Sequence, residues 1–211
     1  MNTGRGFGAA EWGMDSQNCR RKDEQKPMET VNALKNRLLF RRGVPSDVDA
    51  IAGIYERIHD EEESGQRVIG WQRGIYPTRQ TAQKAIALGD MFVAEIDGEI
   101  VAAGRINREQ VDVYGAARWQ YPAPDHQVMV LHTLVVAPKA EGQGIASEFV
   151  AFYERVALEN GCTCLRIDTN EKNIRARALY QKLGFREADV IPCEFNGIPG
   201  VRLVCIEKKL K

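Results

Sequence analysis

"VVAPKAEGQGIASEFVAFYERV", residues 135–156, decides how this chain is read. It passes from an apolar, β-branched segment through Pro138 and two closely spaced glycines, Gly142 and Gly144, straight into a helix, with no polar turn between. A helix N-terminus presents unpaired backbone N–H groups and the positive end of the macrodipole, and glycines just before it let an anion approach to hydrogen-bonding distance. Phosphate is the natural ligand of such a turn. The charge stabilisation is only on the order of 1 kcal/mol, so the turn orients a ligand that gains its affinity elsewhere.

Several readings of these glycines compete. A P-loop needs a lysine followed by Ser or Thr after its last glycine, and here no lysine precedes the helix, so that reading fails. A dinucleotide-binding turn fits better, because Gly142-x-Gly144 follows a strand and Asp168 closes the next strand about twenty residues later, where a ribose-binding acid would sit. Against it, Ser147 stands at the third glycine position, and the chain beyond Asp168 supplies one helix and a strand pair, not further βαβ units. A purely structural tight turn also stays open on these residues alone.

Outward from this stretch the elements follow from period and punctuation. "NRLLFRRG" reads as a first strand, and "SDVDAIAGIYERIHDEEESG" as a helix capped by Ser46 or Asp47 with Ile51, Ile54, Tyr55 and Ile58 on one stripe. "PTRQTAQKAIALGD" is a second helix, capped by Thr78 and stopped near Gly89. "MFVAEIDGEIVAAGRINRE" is a hairpin on Asp97-Gly98, and residues 110–127 form an irregular loop. Then come strand "VMVLHTLVV", the glycine turn, a helix over 144–159, strand "CTCLRIDT", a helix over 173–183, and strands "GFREADVIP" and "GVRLVCIEKK" joined through "EFNGIPG". This order predicts an α/β domain over residues 36–211, a central mixed β-sheet with helices on both faces. Residues 1–35 show neither period and read as a flexible tail, with Met28 as an alternative start.

Two motifs carry a resemblance. "LVVAPKAEGQGIA" is similar to motif A of the GNAT superfamily, the GCN5-related N-acetyltransferases: Val-x-Pro, a short gap, then Arg or Gln-x-x-Gly-x-Gly or Ala. Val136, Pro138, Gly142, Gly144 and Ala146 occupy the matching places, while Glu141 stands where the family has Arg or Gln. An ionised carboxylate there cannot donate to a phosphate and would mildly repel it. "NIRARALYQKLGF", residues 173–185, resembles the family's NxxAxxLYxKxGF signature, with Asn173, Ala176, Leu179, Tyr180, Lys182, Gly184 and Phe185 in place. Asn173 and Tyr180 lie seven residues apart, close to two helical turns or about 10 Å, so both can touch one extended ligand. The resemblance covers the order of elements from about residue 37 to the end.

It implies the acyl-CoA N-acyltransferase fold and acetyl-CoA as cosubstrate, without a metal. The pyrophosphate would be held by the loop amides of Glu141, Gly142, Gln143, Gly144, Ile145 and Ala146. The strand "LHTLVV" matches the family's bulged strand, whose amides around Leu134, Val135 and Val136 would bind pantetheine and polarise the thioester. Asn173 would contact the pantetheine arm and Tyr180 the thioester sulfur. Alone, Asn173 reads equally well as an N-cap and Tyr180 as a half-buried core residue.

The implied reaction is direct acetyl transfer to a primary amine. A lysine-like amine is neutral about four times in ten thousand at pH 7, so deprotonation represents roughly 4 to 5 kcal/mol of the barrier and calls for a base. His132 is the candidate, with a packed, hydrogen-bonded histidine as its alternative. Tyr180 would donate a hydrogen bond to the departing thiolate, since outright proton transfer is uphill by about 2 kcal/mol. An acyl-cysteine route through Cys162 or Cys164 has no activating group in sequence. Trp71, Tyr76, Trp119 and Tyr121 are candidates for an aromatic wall around the amine, or for loop packing. A non-catalytic acyl-CoA-binding module of the same fold is the alternative function.

Composition sets the remaining bounds. Lys plus Arg and Asp plus Glu both total 29, which argues against a nucleic-acid or anionic-membrane partner. The five cysteines form no CxxC pair, which argues against a disulfide framework or a metal site. Cys162 and Cys164, two apart in an apolar strand, should face the same way. The chain reads as cytoplasmic, acting on a small-molecule or peptide amine, with a homodimer as the one protein assembly considered.

Overall fold

Asp97 and Gly98 both adopt positive φ, 51° and 82°, the backbone of a two-residue hairpin turn. They join β2 (Met91–Ile96) to β3 (Glu99–Asn107). The structure, a computed structural model, describes residues 37–211; the tail expected over residues 1–35 lies outside the described residues. β1 (Leu38–Arg42), β4 (Val128–Val136), β5 (Cys164–Asn170), β6 (Arg186–Phe195) and β7 (Ile198–Lys209) complete one seven-stranded sheet in the order β1-β2-β3-β4-β5-β7-β6. Only β4 and β5 pair in parallel; every other neighbour is antiparallel. The helices are α1 (Val48–Glu63), α2 (Arg79–Ala87), α3 (Ile145–Glu159) and α4 (Ile174–Lys182). This is the mixed α/β sheet that the element order predicts.

α1 buries the expected stripe, with Ile51, Ile54, Tyr55 and Ile58 all in the core. Its cap differs from expectation. Asp47 occupies the N-cap position but makes no cap bond; its carboxylate instead accepts from Val44 N at 2.8 Å and pairs with Arg41 at 2.7 Å. A short 3-10 turn, Pro45–Asp47, leads into the helix, so the carboxylate points back toward β1. Thr78 does cap α2, accepting from Thr81 N at 3.4 Å. β5 starts at Cys164, so Cys162 precedes the strand, although both cysteines are buried.

α3 is the connection between the parallel strands, and its packing fixes the glycine turn at its start. Ile145, Phe149, Val150, Tyr153 and Ala157 are buried at helical spacing, each large side chain worth about 1.5–3 kcal/mol of transfer free energy. The Tyr153 hydroxyl donates to Met129 O at 2.6 Å and approaches Arg166 O at 3.1 Å, tying the helix to both β4 and β5. Phe149 lies over Gly104 of β3, where a Cβ would come within 2.9 Å of its ring.

Candidate active site

The parallel pair β4–β5 runs only from Val128↔Cys164 to Leu131↔Ile167. Beyond that point the strands part, leaving an edge of each without a strand partner. On its other side β4 also breaks register: Ala103 pairs with Val135 but Arg105 with His132, so Thr133 and Leu134 bulge opposite Gly104. Thr133 takes φ 52°, unusual for a β-branched residue. The Tyr76 hydroxyl hydrogen-bonds its side-chain oxygen. His132, Thr133 and Leu134 all border the opening.

A cavity of about 490 Å³ fills this opening. Its walls come from the β4 bulge (His132, Thr133, Leu134), from Asp168 at the end of β5, from Asn173 and Tyr180 on α4, and from the segment between α1 and α2 that carries Trp71 and Tyr76. That segment is tied down by Glu62, whose carboxylate accepts from Ile69 N at 2.6 Å and Gly70 N at 2.7 Å. Gly70, at φ 87°, lies so close to Asn170 that a Cβ would come within 2.4 Å of its amide nitrogen.

Asn173 caps α4, its Oδ1 accepting from Ala176 N at 3.2 Å. That leaves its NH2 group as a donor. Tyr180 is buried, and burial first, then the nearby Asp168, raises its pKa above the ordinary tyrosine value. Its hydroxyl therefore stays protonated at neutral pH.

Gly142 and Gly144 adopt φ 75° and 83°, and a Cβ built on either would meet nothing within 4 Å. Among the described residues no group crowds these glycines: they permit the left-handed backbone and leave open space ahead of α3. Gly144 supplies no side-chain cap, and the first intrahelical bond runs from Glu148 N to Gly144 O at 3.1 Å, so the amides of Ile145, Ala146 and Ser147 precede the helical ladder. A phosphate fits a cradle of this kind.

A family model described as the acetyltransferase (GNAT) family matches residues 54–185. The chain belongs to the GNAT acetyltransferase family. It is 31% identical over 148 residues to the uncharacterised N-acetyltransferase YhfO of Bacillus subtilis (strain 168), covering 70% of this chain and 89% of that protein. It is 34% identical over 96 residues to the thialysine N-epsilon-acetyltransferase of Bos taurus, covering 46% of this chain and 55% of that protein, so it spans little more than half of the bovine relative. A GNAT-family acetyltransferase structure from Streptococcus agalactiae 2603 superposes with a TM-score of 0.68 at 22% identity, covering 82% of this chain and 96% of the other, and bears on the fold.

At the glycine turn, Glu141 has a structural context that the sequence does not show. Its carboxylate pairs with Arg67, which also pairs with Glu61, and with Arg175 at 2.8 Å. Two guanidinium groups thus stand beside the turn, and the expected repulsion of a phosphate is compensated by its neighbours.

The four aromatic candidates separate. Trp71 and Tyr76 meet edge to face, with ring centroids 6.1 Å apart, on the cavity wall. Trp119 and Tyr121 do not line this cavity. They pack on the buried cluster of Tyr114, Val128, Val130, Cys164 and Cys205. The Trp119 indole donates to Tyr114 O at 2.9 Å, and Arg166 lies 4.0 Å over its ring. The buried carboxylate of Glu207 fixes this loop by accepting from Gln120 N at 2.8 Å and Tyr121 N at 3.1 Å.

His132 lines the cavity, but it is held. The Asn107 amide donates to Asp90 at 2.8 Å, so its oxygen accepts from His132 Nε2 at 3.0 Å. Burial, then the Arg105 charge, lowers the imidazole pKa to about 4. This is the environment of the packed, hydrogen-bonded alternative, and it makes His132 a weak base. Burial raises the Cys164 thiol, and neither Cys162 nor Cys164 lines the cavity.

One cavity residue, Asp168, is weighed in the sequence only as a ribose-binding acid of the dinucleotide reading and not as a catalytic group, although it stands out there as an acid directly after an apolar run. Its carboxylate accepts from the Tyr114 hydroxyl at 2.8 Å. Burial raises its pKa to about 6, against the lowering effect of that hydrogen bond.

Proposed function

We propose that the chain transfers an acetyl group from acetyl-CoA to a primary amine by direct attack. The observation that carries this reading is the meeting of the β4 bulge, Asn173 and Tyr180 around one cavity, at the point where β4 and β5 part. The open glycine turn supports it as a place for the pyrophosphate, held by amides from Gly142 to Ala146. Bound acetyl-CoA supplies the acetyl thioester as electrophile. The backbone around Leu134, Val135 and Val136 would hold the pantetheine and polarise the acyl carbonyl, and Asn173 would donate to the same arm.

Tyr180 stabilises the charge that develops on the departing sulfur. Its raised pKa makes outright proton transfer more uphill than an ordinary tyrosine would, so its role is donation of a hydrogen bond. Trp71 and Tyr76 border the acceptor side. The name of the bovine relative adds thialysine, a flexible side-chain amine, to the acceptors worth testing.

Tyr180→Phe tests the reading. It should lower kcat on the order of a hundredfold while acetyl-CoA affinity changes little, because the ring still packs against Phe185. A kcat within about twofold of the parent in a chemistry-limited assay would reject the role of the hydroxyl.

A further inference from the structure

We propose that Asp168 anchors the ammonium group of the acceptor in the β4–β5 opening and takes its proton, so that the substrate is a cationic primary amine activated where it is held. This rests on the acetyl-transfer reading above and assigns to that same site the base and the charge of the acceptor.

Position is the first argument. Asp168 directly follows Ile167, the last β5 residue paired with β4. In continued register it faces His132 and the bulge at Thr133, whose backbone is placed to polarise an acyl carbonyl. Asp168 and Tyr180 line the same cavity, so base and leaving-group donor stand around one reaction centre.

Charge is the second. A carboxylate partly withdrawn from water gains from a countercharge; Asp168 is partly buried and has no ion-pair partner among the described residues. Tyr114 occupies Oδ2; Oδ1 has no hydrogen-bond partner among the described residues. Besides His132 on β4, whose pKa of about 4 leaves it neutral at pH 7, the titratable groups turned toward it are Tyr114 in the 110–127 loop, Tyr76 between the first two helices, Tyr180 on α4, Cys193 on β6 and Cys205 on β7. These tyrosines and cysteines are neutral at pH 7, their pKa values raised by burial. Two cationic side chains line the cavity: Arg105 is already engaged by Asp90 and Glu109, and the charge of Lys84 acts on Glu109; neither pairs with Asp168. The missing countercharge is supplied by a substrate ammonium, beside the rings of Trp71 and Tyr76, which favour a cation.

The step balances without any further reactant. The ammonium N–H gives its proton to the Asp168 carboxylate. The freed nitrogen lone pair forms the C–N bond to the acyl carbon, and the C–S bond breaks with its electron pair going to sulfur. The remaining extra proton on nitrogen passes to that sulfur, hydrogen-bonded by Tyr180, and Asp168 returns its own proton to solvent. A carboxylate with a pKa of about 6 is ionised at pH 7, yet more basic than the His132 imidazole at about 4.

The test compares the parent chain, Asp168→Asn and Tyr114→Phe, all with acetyl-CoA. The acceptors are the fastest primary alkylamine from a panel of lysine, thialysine, putrescine and ethanolamine, and hydroxylamine, which is largely neutral at pH 7. Asp168→Asn should lower kcat/KM for the alkylamine at least about a hundredfold. Hydroxylamine, corrected for uncatalysed reaction, should lose less than about tenfold, and calorimetric acetyl-CoA affinity should stay within about threefold. Tyr114→Phe removes the hydrogen bond that lowers the Asp168 pKa, so the acidic limb of kcat/KM should move to higher pH. This readout does not depend on Asp168→Asn folding. An active parent with Asp168→Asn within about threefold, equal losses for both nucleophiles, or an unmoved limb in Tyr114→Phe would overturn this inference alone. No acetyl transfer by the parent to any acceptor would overturn the functional reading and this inference with it.

Discussion

Gly104→Ala probes the link between sheet packing and the glycine turn at the start of α3. A Cβ on Gly104 would stand 2.9 Å from Phe149 Cε1 and 3.1 Å from Phe149 Cζ and Leu131 Cδ1, well inside the roughly 3.5–4.0 Å of optimal carbon contact. Phe149 has no exposed surface, and its ring is packed against Phe40 and Phe152 at 5.7 and 6.1 Å. It cannot relieve the overlap by turning toward solvent. Overpacking of this kind costs about 1–3 kcal/mol, and the loss of glycine's unfolded-state freedom returns about 0.5 kcal/mol. The expected net destabilisation is therefore about 1.5 kcal/mol, read as a lower urea midpoint at unchanged m value. Because Phe149 lies one turn into α3, relief by helix displacement would carry the glycine turn with it and weaken acetyl-CoA binding in the same variant. Phe149→Leu placed on Gly104→Ala should be less destabilised than the sum of the single changes by about 1 kcal/mol or more. Stability within about 0.5 kcal/mol of the parent, or strict additivity, would refute the close-packing argument.

Glu141→Gln should cost about 1–2 kcal/mol of stability by loosening Arg67 and Arg175, yet leave acetyl-CoA affinity within about threefold. Urea unfolding and calorimetry check the two halves, and a tenfold tighter complex would show that the carboxylate opposes the phosphate despite its partners. His132 governs acid stability with a defined sign. Its folded pKa of about 4 lies below the ordinary value of 6.5, so its contribution is full above about pH 6.5 and is lost as pH falls through about 4, up to about 3 kcal/mol. Asp168, raised to about 6 from 3.8, acts oppositely: its contribution is present at low pH and lost as pH rises through about 6. His132→Asn should therefore flatten the acid-side loss of stability between about pH 6.5 and about pH 4; an unchanged slope in urea unfolding would contradict the assignment.

What the sequence makes legible here is local. The glycine turn, the Asp97-Gly98 hairpin and the Asn173–Tyr180 spacing are each written within a few residues, because backbone geometry and helix period act over that range. What it leaves hidden is decided across the sheet. The partner of Asp168 is Tyr114, 54 residues away, and the partners of Glu141 lie 74 and 34 residues away. No spacing rule connects them. The aromatics show the same limit: Trp71 and Trp119 have equivalent local surroundings in sequence, and only the fold sends one to the cavity and the other onto the Tyr114 cluster. Asp47 stands at the N-cap position expected of Ser46 or Asp47 but makes no cap bond, since Arg41 and Val44 N engage its carboxylate once β1 is in place.

The central claim is acetyl transfer to an amine at the β4–β5 opening, and mass spectrometry of reactions with isotopically labelled acetyl-CoA tests it most directly. The account predicts that the label appears in a primary alkylamine from the panel as one amide-linked acetyl group, matched mole for mole by free CoA thiol, and that both signals fall together in Tyr180→Phe. Thiol release without a labelled amine, or bound acetyl-CoA left intact with every acceptor, would contradict it.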